Sequence, residues 1–407
     1  EPSPDRIQAP CPYSGWCGGC QWQQIRYDRQ LIFKKEHVEE CLSHIASLKA
    51  VAVRDTIPSE NIFAYRNKME FSFSDRRWFL PHELDRRNAE GGVALGLHVP
   101  GTYNKVIDID ACLLQAEEGN RILRDIKQFV KNSGIPVYNL KTHEGVWRFI
   151  ALRHSSALDE WMINIVTSRE IPDVARELAG HLVRKHPRIT SVINNISRRK
   201  AAVATGEREI VIRGNSCIAD RIGSFTFQIS ANSFFQTNSA GAKKLYQTVM
   251  DYADFKGHET VLDLYSGTGT IAVFLASRVR HVTGIEISES AVRDARTNCK
   301  INRIENCRFI CGDIREKLGE ITRKPDILII DPPRAGMHKD VLTRVLEIAP
   351  ETIVYVSCNP ATMARDVGRM THAYKIVEIQ PVDMFPHTYH IEAVVKLVRS
   401  AEGRMKK

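Results

Sequence analysis

The spacing of apolar and polar positions changes once along the chain, near residue 230. Between Tyr65 and Ser230 the apolar residues gather in short β-rich runs at 69–74, 93–98, 147–152 and 161–166. Two of these alternate as half-buried antiparallel strands do, and helical spacing near 116–131 and 173–185 interrupts them. That pattern predicts an α+β domain. From Ala240 onward the rhythm becomes helix, apolar strand, glycine turn and helix, repeated, which predicts a doubly wound parallel sheet. The boundary is drawn at 1–230 and 231–407, ahead of Asn232-Ser-Phe-Phe-Gln-Thr-Asn238, and a length of 407 residues is expected to need two cores.

An apolar fraction of 43% with 26% charged residues is ordinary for a globular protein. No apolar run approaches the ~20 residues of a membrane span and no signal-peptide pattern opens the chain, so a soluble, cytoplasmic protein without a membrane partner is expected, with a monomer as the default. The first residue is Glu1 rather than Met, so an upstream segment is expected. The net charge of +9 favours a polyanionic partner, since lysine and arginine displace counterions from phosphates. The two halves carry +5 and +4, so charge does not locate a face. Arg76-Arg77-Trp78, Arg86-Arg87 and Ser197-Arg-Arg-Lys200 are basic loops, each by itself an ordinary solvated turn, and the tail Arg404-Met-Lys-Lys407 is expected to fray.

Chemistry concentrates in the second half. Residues 260–264 read as a strand, Tyr265 to Thr270 as a glycine turn and 271–276 as the following helix, an arrangement that lets backbone approach a nucleoside cofactor. The next strand ends in Glu286, placed to accept hydrogen bonds from ribose hydroxyls, and a third ends in Gly312-Asp313, where a carboxylate could meet an adenine amino group. A nicotinamide cofactor would use a similar turn. Asp263 before the turn, the second acid at Asp313 and Asp331-Pro-Pro-Arg334 ending the fourth strand favour S-adenosylmethionine.

Asp-Pro-Pro followed by an aromatic suits methylation of an exocyclic amine, the ring stacking on the base. Arg334 stands in that place, so the chemistry falls to Cys358, which ends the apolar strand 352–357 and precedes Asn359-Pro360. A thiolate adding to carbon 6 of uracil makes carbon 5 nucleophilic, and a base must then remove the carbon 5 proton. Glu392, at the start of the C-terminal strand, is the candidate base. Taken singly, Cys358 would be an inert buried thiol and Glu392 an exposed strand-end acid.

Ten cysteines without secretory features indicate reduced thiols, metal ligands or catalysis. Cys11, Cys17 and Cys20 share one glycine-rich loop, with Cys112 the best candidate for a fourth ligand. Their spacing does not separate zinc from an iron–sulfur cluster. Radical chemistry on S-adenosylmethionine would need a different cysteine spacing and a barrel.

Together these segments resemble the RNA uracil-5-methyltransferase family, especially its iron–sulfur members of the 23S ribosomal RNA 5-methyluridine type. The resemblance rests on Cys11-Pro-Tyr, Tyr65-Arg-Asn-Lys-Met-Glu-Phe-Ser72, Ser233-Phe-Phe-Gln-Thr-Asn238, Asp331-Pro-Pro-Arg334, Ser357-Cys-Asn-Pro360 and His390-Ile-Glu392, in that order along nearly the whole chain. It implies a Rossmann-like methyltransferase domain after an N-terminal α+β domain that holds a cysteine cluster and binds RNA. It makes Cys358 the nucleophile and Glu392 the base, and places Gln236, Tyr265, Glu286 and Asp331 on S-adenosylmethionine, with Gly267, Thr270 and Asp313 beside them. Cys11, Cys17, Cys20 and Cys112 would hold a 4Fe-4S cluster. Many relatives open with a small β-barrel RNA-binding module, the TRAM domain, which this sequence lacks. The implied substrate is a flipped or loop uridine of large-subunit ribosomal RNA, with transfer RNA as the alternative. A non-catalytic RNA-binding protein that kept the fold is the reading from another class.

Overall fold

The described residues form an eight-stranded and a seven-stranded sheet, one on each side of the change of period near residue 230, with a two-stranded sheet between them in the chain. The structure, a computed structural model, describes residues 2–86 and 92–401. Arg87 of the second basic loop and the tail 404–407 lie outside the described residues. One unit comprises Glu1–Ile25, Asn61–Asp220 and Ile229–Asn232, the other Arg26–Glu60, Arg221–Gln228 and Ser233–Lys407. Residues 26–60, which the sequence pattern assigns to the first domain, therefore belong to the second unit. Helix α1 (Tyr27–Ile45) puts Val38, Cys41 and Leu42 into the same buried cluster as Leu262, Ile353 and Tyr374. Its apolar stripe states that it must pack, not on which core.

The first unit is built on eight strands, β1 (Lys68–Ser74), β2 (Arg77–Trp78), β3 (Ala94–His98), β4 (Val106–Asp108), β5 (Trp147–Ser155), β6 (Glu160–Thr167), β7 (Ile189–Ile196) and β8 (Arg208–Gly214). Their order is β2-β4-β3-β1-β5-β6-β7-β8, with helices α2 (Glu117–Asn132) and α3 (Pro172–Lys185). Most neighbours are antiparallel; β2 and β4 run parallel, as do β6 and β7, for which α3 supplies the crossover. Strand β1 alternates in burial as expected. Strands β5 and β6 are buried almost throughout; β6 is largely apolar, whereas β5 buries Arg148 and Arg153 among its apolar residues.

The chain passes through β9 (Cys217–Ile222) and β10 (Phe225–Ser230) into helix α4 (Ser239–Ala253). Then follow β11 (Thr260–Leu264), α5 (Thr270–Leu275), β12 (His281–Glu286), α6 (Glu289–Ile301), β13 (Cys307–Cys311), α7 (Ile314–Lys317), β14 (Ile327–Ile330) and α8 (Lys339–Ile348). Strand β15 (Thr352–Ser357), α9 (Pro360–Met370), β16 (Tyr374–Val382) and β17 (Glu392–Arg399) complete the unit. The sheet order is β13-β12-β11-β14-β15-β17-β16, with β11 to β15 parallel and β17 antiparallel to both its neighbours. Strand order reverses at β11 and β14, and open sheets bind ligands at the carboxyl edge of such a switch point. The expected doubly wound, Rossmann-like sheet is present. Segment 53–57 bridges onto the edge strand β16 at Val53 to Ile379 and Ile57 to Val382, covering backbone groups that would otherwise invite pairing with another chain.

Asp366 on α9 fixes the loop after β14. Fully buried, it accepts from Met337 N and from Tyr355 Oη, both at 2.8 Å, and pairs with Arg365. Replacing it by alanine leaves two buried donors without an acceptor, at about 1–3 kcal/mol for each such group. Urea unfolding of Asp366→Ala is expected to show a loss of about 3 kcal/mol, and Asp366→Asn, which keeps an acceptor, about half of that.

Candidate active site and a four-cysteine pocket

The turn after β11 is built on left-handed backbone at Tyr265 (φ 63°), Gly267 (φ 53°) and Gly269 (φ 73°). A Cβ on Gly269 would lie 2.9 Å from Ala295 Cβ and from the Phe309 ring, so only glycine lets α5 start there. Open space surrounds the corresponding position on Gly267. Tyr265 is bulky, and holding it at positive φ is strain of the kind found where a backbone is shaped around a ligand. Thr270 opens α5 with its Oγ1 3.0 Å from Tyr246 Oη. Glu286, at the end of β12, braces the turn: its carboxylate accepts from Gly267 N at 3.0 Å and from Ser288 N at 2.8 Å. Asp313 caps α7, accepts from Arg315 N at 2.9 Å and also pairs with the Arg315 guanidinium, which holds its carboxyl at about 2. Gln236 stands half-buried just ahead of Asn238, whose side chain caps α4 by accepting from Gly241 N at 2.9 Å.

Beneath the turn Asp263 is fully buried, and neither of its carboxylate oxygens has a hydrogen-bond partner. Burial, followed by the charges of Asp331 and Glu286, pushes its carboxyl well above the ordinary range. Burial also raises Asp331, just past β14, to about 6. An edge so rich in acids would repel a dinucleotide pyrophosphate and suits the sulfonium and ammonium of S-adenosylmethionine, so the residues present fit that cofactor.

Cys358 and Glu392 meet through strand register. The antiparallel ladder between β15 and β17 ends at Ser357 opposite Ala393, so Cys358, the residue after β15, and Glu392, the first residue of β17, flank that last pair from opposed strands. Ser357 Oγ accepts from Asn359 N at 3.1 Å, and Asn359 caps α9 by accepting from Ala361 N at 3.1 Å, which clasps the thiol between strand and helix. Burial pushes the half-buried Cys358 thiol up to about 11, with Glu392 and Asp331 adding to the rise and Arg334 opposing it. Glu392 is buried and raised well above the usual carboxylate range by desolvation and then by Asp331, against Arg334 and Lys34. Arg334 is thus a cation common to both groups, a part that the sequence pattern did not reveal because its position was read only for the aromatic it lacks. Asn359 Nδ2 and Thr362 Oγ1 donate to its carbonyl at 3.0 and 3.2 Å.

In the first unit Cys11, Cys17, Cys20 and Cys112 line one pocket together with Tyr13, Gln23 and Leu97. Gly18 lies so close to β3 that a Cβ would stand 2.9 Å from His98 O. Burial is the largest cause raising all four thiols, to about 11 at Cys17 and about 12 at Cys112, and neighbouring thiols add to it at Cys17, Cys20 and Cys112. Among the described residues no three His, Cys, Asp or Glu side chains are gathered as ligands of a single ion would be. The basic segment 198–200 is anchored: buried Arg148 donates to the carbonyls of Ser197, Arg199 and Ala201 at 2.8, 2.6 and 2.8 Å. No helix among the described residues is long and apolar enough to cross a membrane.

Residues 138–400 match the model of the tRNA (uracil-5-)-methyltransferase family. An uncharacterized RNA methyltransferase of Chlorobaculum tepidum is 41% identical across 98% of this chain and 85% of its own length. Another, from Porphyromonas gingivalis, is 39% identical across 98% of this chain and 89% of its own. Among solved structures, the Pyrococcus abyssi tRNA (uracil-54, C5)-methyltransferase in complex with S-adenosyl-L-homocysteine superposes with a TM-score of 0.77 at 33% identity, over 97% of this chain and 86% of that one. Similarity of this extent, through a region that runs from β5 to the end of β17 and so carries both the cofactor turn and the opposed pair, makes the chain a member of the RNA uracil-5-methyltransferase family and an S-adenosylmethionine-dependent RNA methyltransferase.

Proposed function

We propose that this enzyme methylates carbon 5 of a uridine in folded RNA through a transient covalent adduct on Cys358, with Glu392 as the base. The observation that carries this reading is that Cys358, the residue after β15, and Glu392, the first residue of β17, flank the last pair of the β15–β17 ladder, Ser357 opposite Ala393, one strand from Asp331. The thiolate adds to carbon 6, forming the sulfur–carbon bond while the π electrons of carbons 5 and 6 move onto the carbonyl at carbon 4. Gln236, Tyr265, Glu286 and Asp331, with Gly267, Thr270 and Asp313 at the turn, would hold S-adenosylmethionine, which would supply the methyl group that carbon 5 takes and would leave as S-adenosylhomocysteine. Glu392 then takes the proton from carbon 5, and the freed electron pair restores the double bond and expels the thiolate. A carboxylate whose proton affinity is raised by burial is a better acceptor for that proton than an exposed one. Arg334 limits the charge that thiolate and carboxylate build up together.

The proposal includes a 4Fe-4S cluster on Cys11, Cys17, Cys20 and Cys112. A single zinc ion at about 2.3 Å from each sulfur would draw its ligands to one point, whereas a cluster takes one thiolate at each of four corners. What supports a cluster reading is that the four cysteines, Cys112 buried and the other three half-buried, line one pocket. Large-subunit ribosomal RNA is the proposed substrate, read from the resemblance to members of the 23S ribosomal RNA 5-methyluridine type. Transfer RNA is the second reading, favoured by the solved Pyrococcus abyssi relative, which is a tRNA (uracil-54, C5)-methyltransferase.

Release of tritium from carbon-5-tritiated uridines, measured on unmodified ribosomal and transfer RNA separately, is expected from one RNA only. Cys358→Ala is expected to lose roughly a thousandfold or more in release while keeping S-adenosylmethionine binding, and full activity in that variant would sink the covalent mechanism. Alkylation of Cys358 in the free enzyme, followed by mass spectrometry, is expected to be slow at about pH 7.5 and to quicken about tenfold per pH unit until pH approaches the thiol's value of about 11. Arg334→Met removes the opposing cation and should slow alkylation further at a given pH. Anaerobically reconstituted protein is expected to hold about four iron atoms per chain, and Cys17→Ser to lose them, by iron and sulfide analysis.

A further inference from the structure

Glu392 reaches the reaction centre at the end of the connection 383–391, and that connection is gripped by one face of α1. Tyr27, Gln30 and Lys34 are spaced three and four residues apart, so they line one side of the helix. Lys34 is fully buried; its Nζ donates to Asp383 Oδ1 at 2.6 Å and to Phe385 O at 3.1 Å. Tyr27 Oη donates to the other Asp383 oxygen at 2.8 Å. Gln30 Oε1 accepts from His387 N at 2.9 Å, where His387 adopts left-handed backbone at φ 65°. From the other side Asn238 Nδ2 donates to Met384 O at 2.9 Å, and Asp383 N donates to Ile57 O at 2.9 Å. Asp383 directly follows Val382, the residue paired with Glu392 across β16 and β17.

A lysine buried this completely is costly, and an apolar pair of the same volume would hold α1 to the sheet at least as well. The ion pair therefore asks for a reason beyond stability. We propose that Lys34 is a positioning residue for the base: through Asp383 it fixes the connection that delivers Glu392, and its buried ammonium offsets the charge Glu392 carries when ionised. The inference rests on the reading of Glu392 as the base.

Five charged or titratable groups act on Glu392, from four parts of the fold. Asp331 follows β14, Arg334 lies in the loop beyond it, Cys358 follows β15, Tyr246 is on α4 and Lys34 is on α1. Asp331 disfavours the carboxylate, while Arg334 and Lys34 favour it. Removing the Lys34 cation makes Glu392 hold its proton to higher pH. Abstraction from carbon 5 needs the carboxylate, so that step slows at neutral pH and its profile moves in the alkaline direction.

The full-length enzyme is assayed with carbon-5-tritiated RNA, following tritium release and the covalent enzyme–RNA adduct on denaturing gels between about pH 6 and about pH 9.5. Lys34→Met is expected to accumulate adduct, release tritium roughly tenfold more slowly at about pH 7 and shift the midpoint of the profile upward by about one unit. Lys34→Arg, which keeps the charge, is expected to restore most of the rate. Should Lys34→Met fail to fold, the double variant Lys34→Met/Asp383→Leu removes both charges and is expected to shift the midpoint in the same direction by less, since loss of the Asp383 anion offsets part of the loss of the cation. An unchanged rate and profile in either variant, with S-adenosylmethionine binding intact, overturns the role of Lys34. Glu392→Gln separates the two ideas: if it traps adduct while the Lys34 variants behave as wild type, only this inference fails, and if it releases tritium at the wild-type rate, the assignment of the base fails with it.

Discussion

Four carboxylates stand at or under the carboxyl edge of one sheet, and the second unit is arranged around keeping them there. Asp263, Glu286, Asp331 and Glu392 each end a strand, begin one or sit within two residues of its end, so the parallel β11, β12 and β14 and the antiparallel β17 bring them to one edge. Burial and mutual repulsion disfavour the charged forms of Asp263 and Glu392, and protein cations at Arg334 and Lys34 offset part of that cost at Glu392. The remainder suits a cationic cofactor. An acid such as Asp263, with no hydrogen-bond partner of its own, contributes nothing to stability in isolation and acquires a purpose only with a positively charged ligand above it.

The reversal of β17 matters as much as the charges. A parallel strand in its place would present its carboxyl end at this edge; running antiparallel, β17 presents its amino end, and so the residue that begins it, Glu392, stands beside the residue that follows β15, Cys358. Two residues far apart in the chain thus become neighbours by register alone. The connection that turns the chain around is irregular and carries a non-glycine residue at positive φ, which is the sort of segment that needs outside support. Helix α1 and the cap of α4 provide it through Lys34, Gln30, Tyr27 and Asn238.

The four-cysteine pocket follows a different logic. Its three N-terminal thiols sit in a loop with few apolar residues of its own, shaped by Gly18 and Gly19 against β3, and Cys112 reaches it from the far end of β4. Thiols buried together resist ionising, and a metal-bound group is what normally reverses that preference.

Much of this was legible in the residues themselves. Strands such as 327–330 and 352–357, apolar almost throughout, can be buried only between layers, and the glycines at 267 and 269 sit where the backbone turns left-handed; such local constraints announce a doubly wound sheet with a ligand at its edge. Cys358 and Glu392 could be singled out because chemistry-bearing residues at strand ends have few structural reasons to be there. Three things were decided only in three dimensions. That 26–60 packs with the second core depends on which apolar surface is left uncovered, which periodicity does not encode. That the Arg334 charge acts on both Cys358 and Glu392, and that Lys34 reaches Asp383 across 349 residues, depends on loops whose paths are set by packing. Sequence determines local backbone preference and the periodicity of each face; the electrostatic environment of a buried group is a sum over neighbours that only the folded chain assembles.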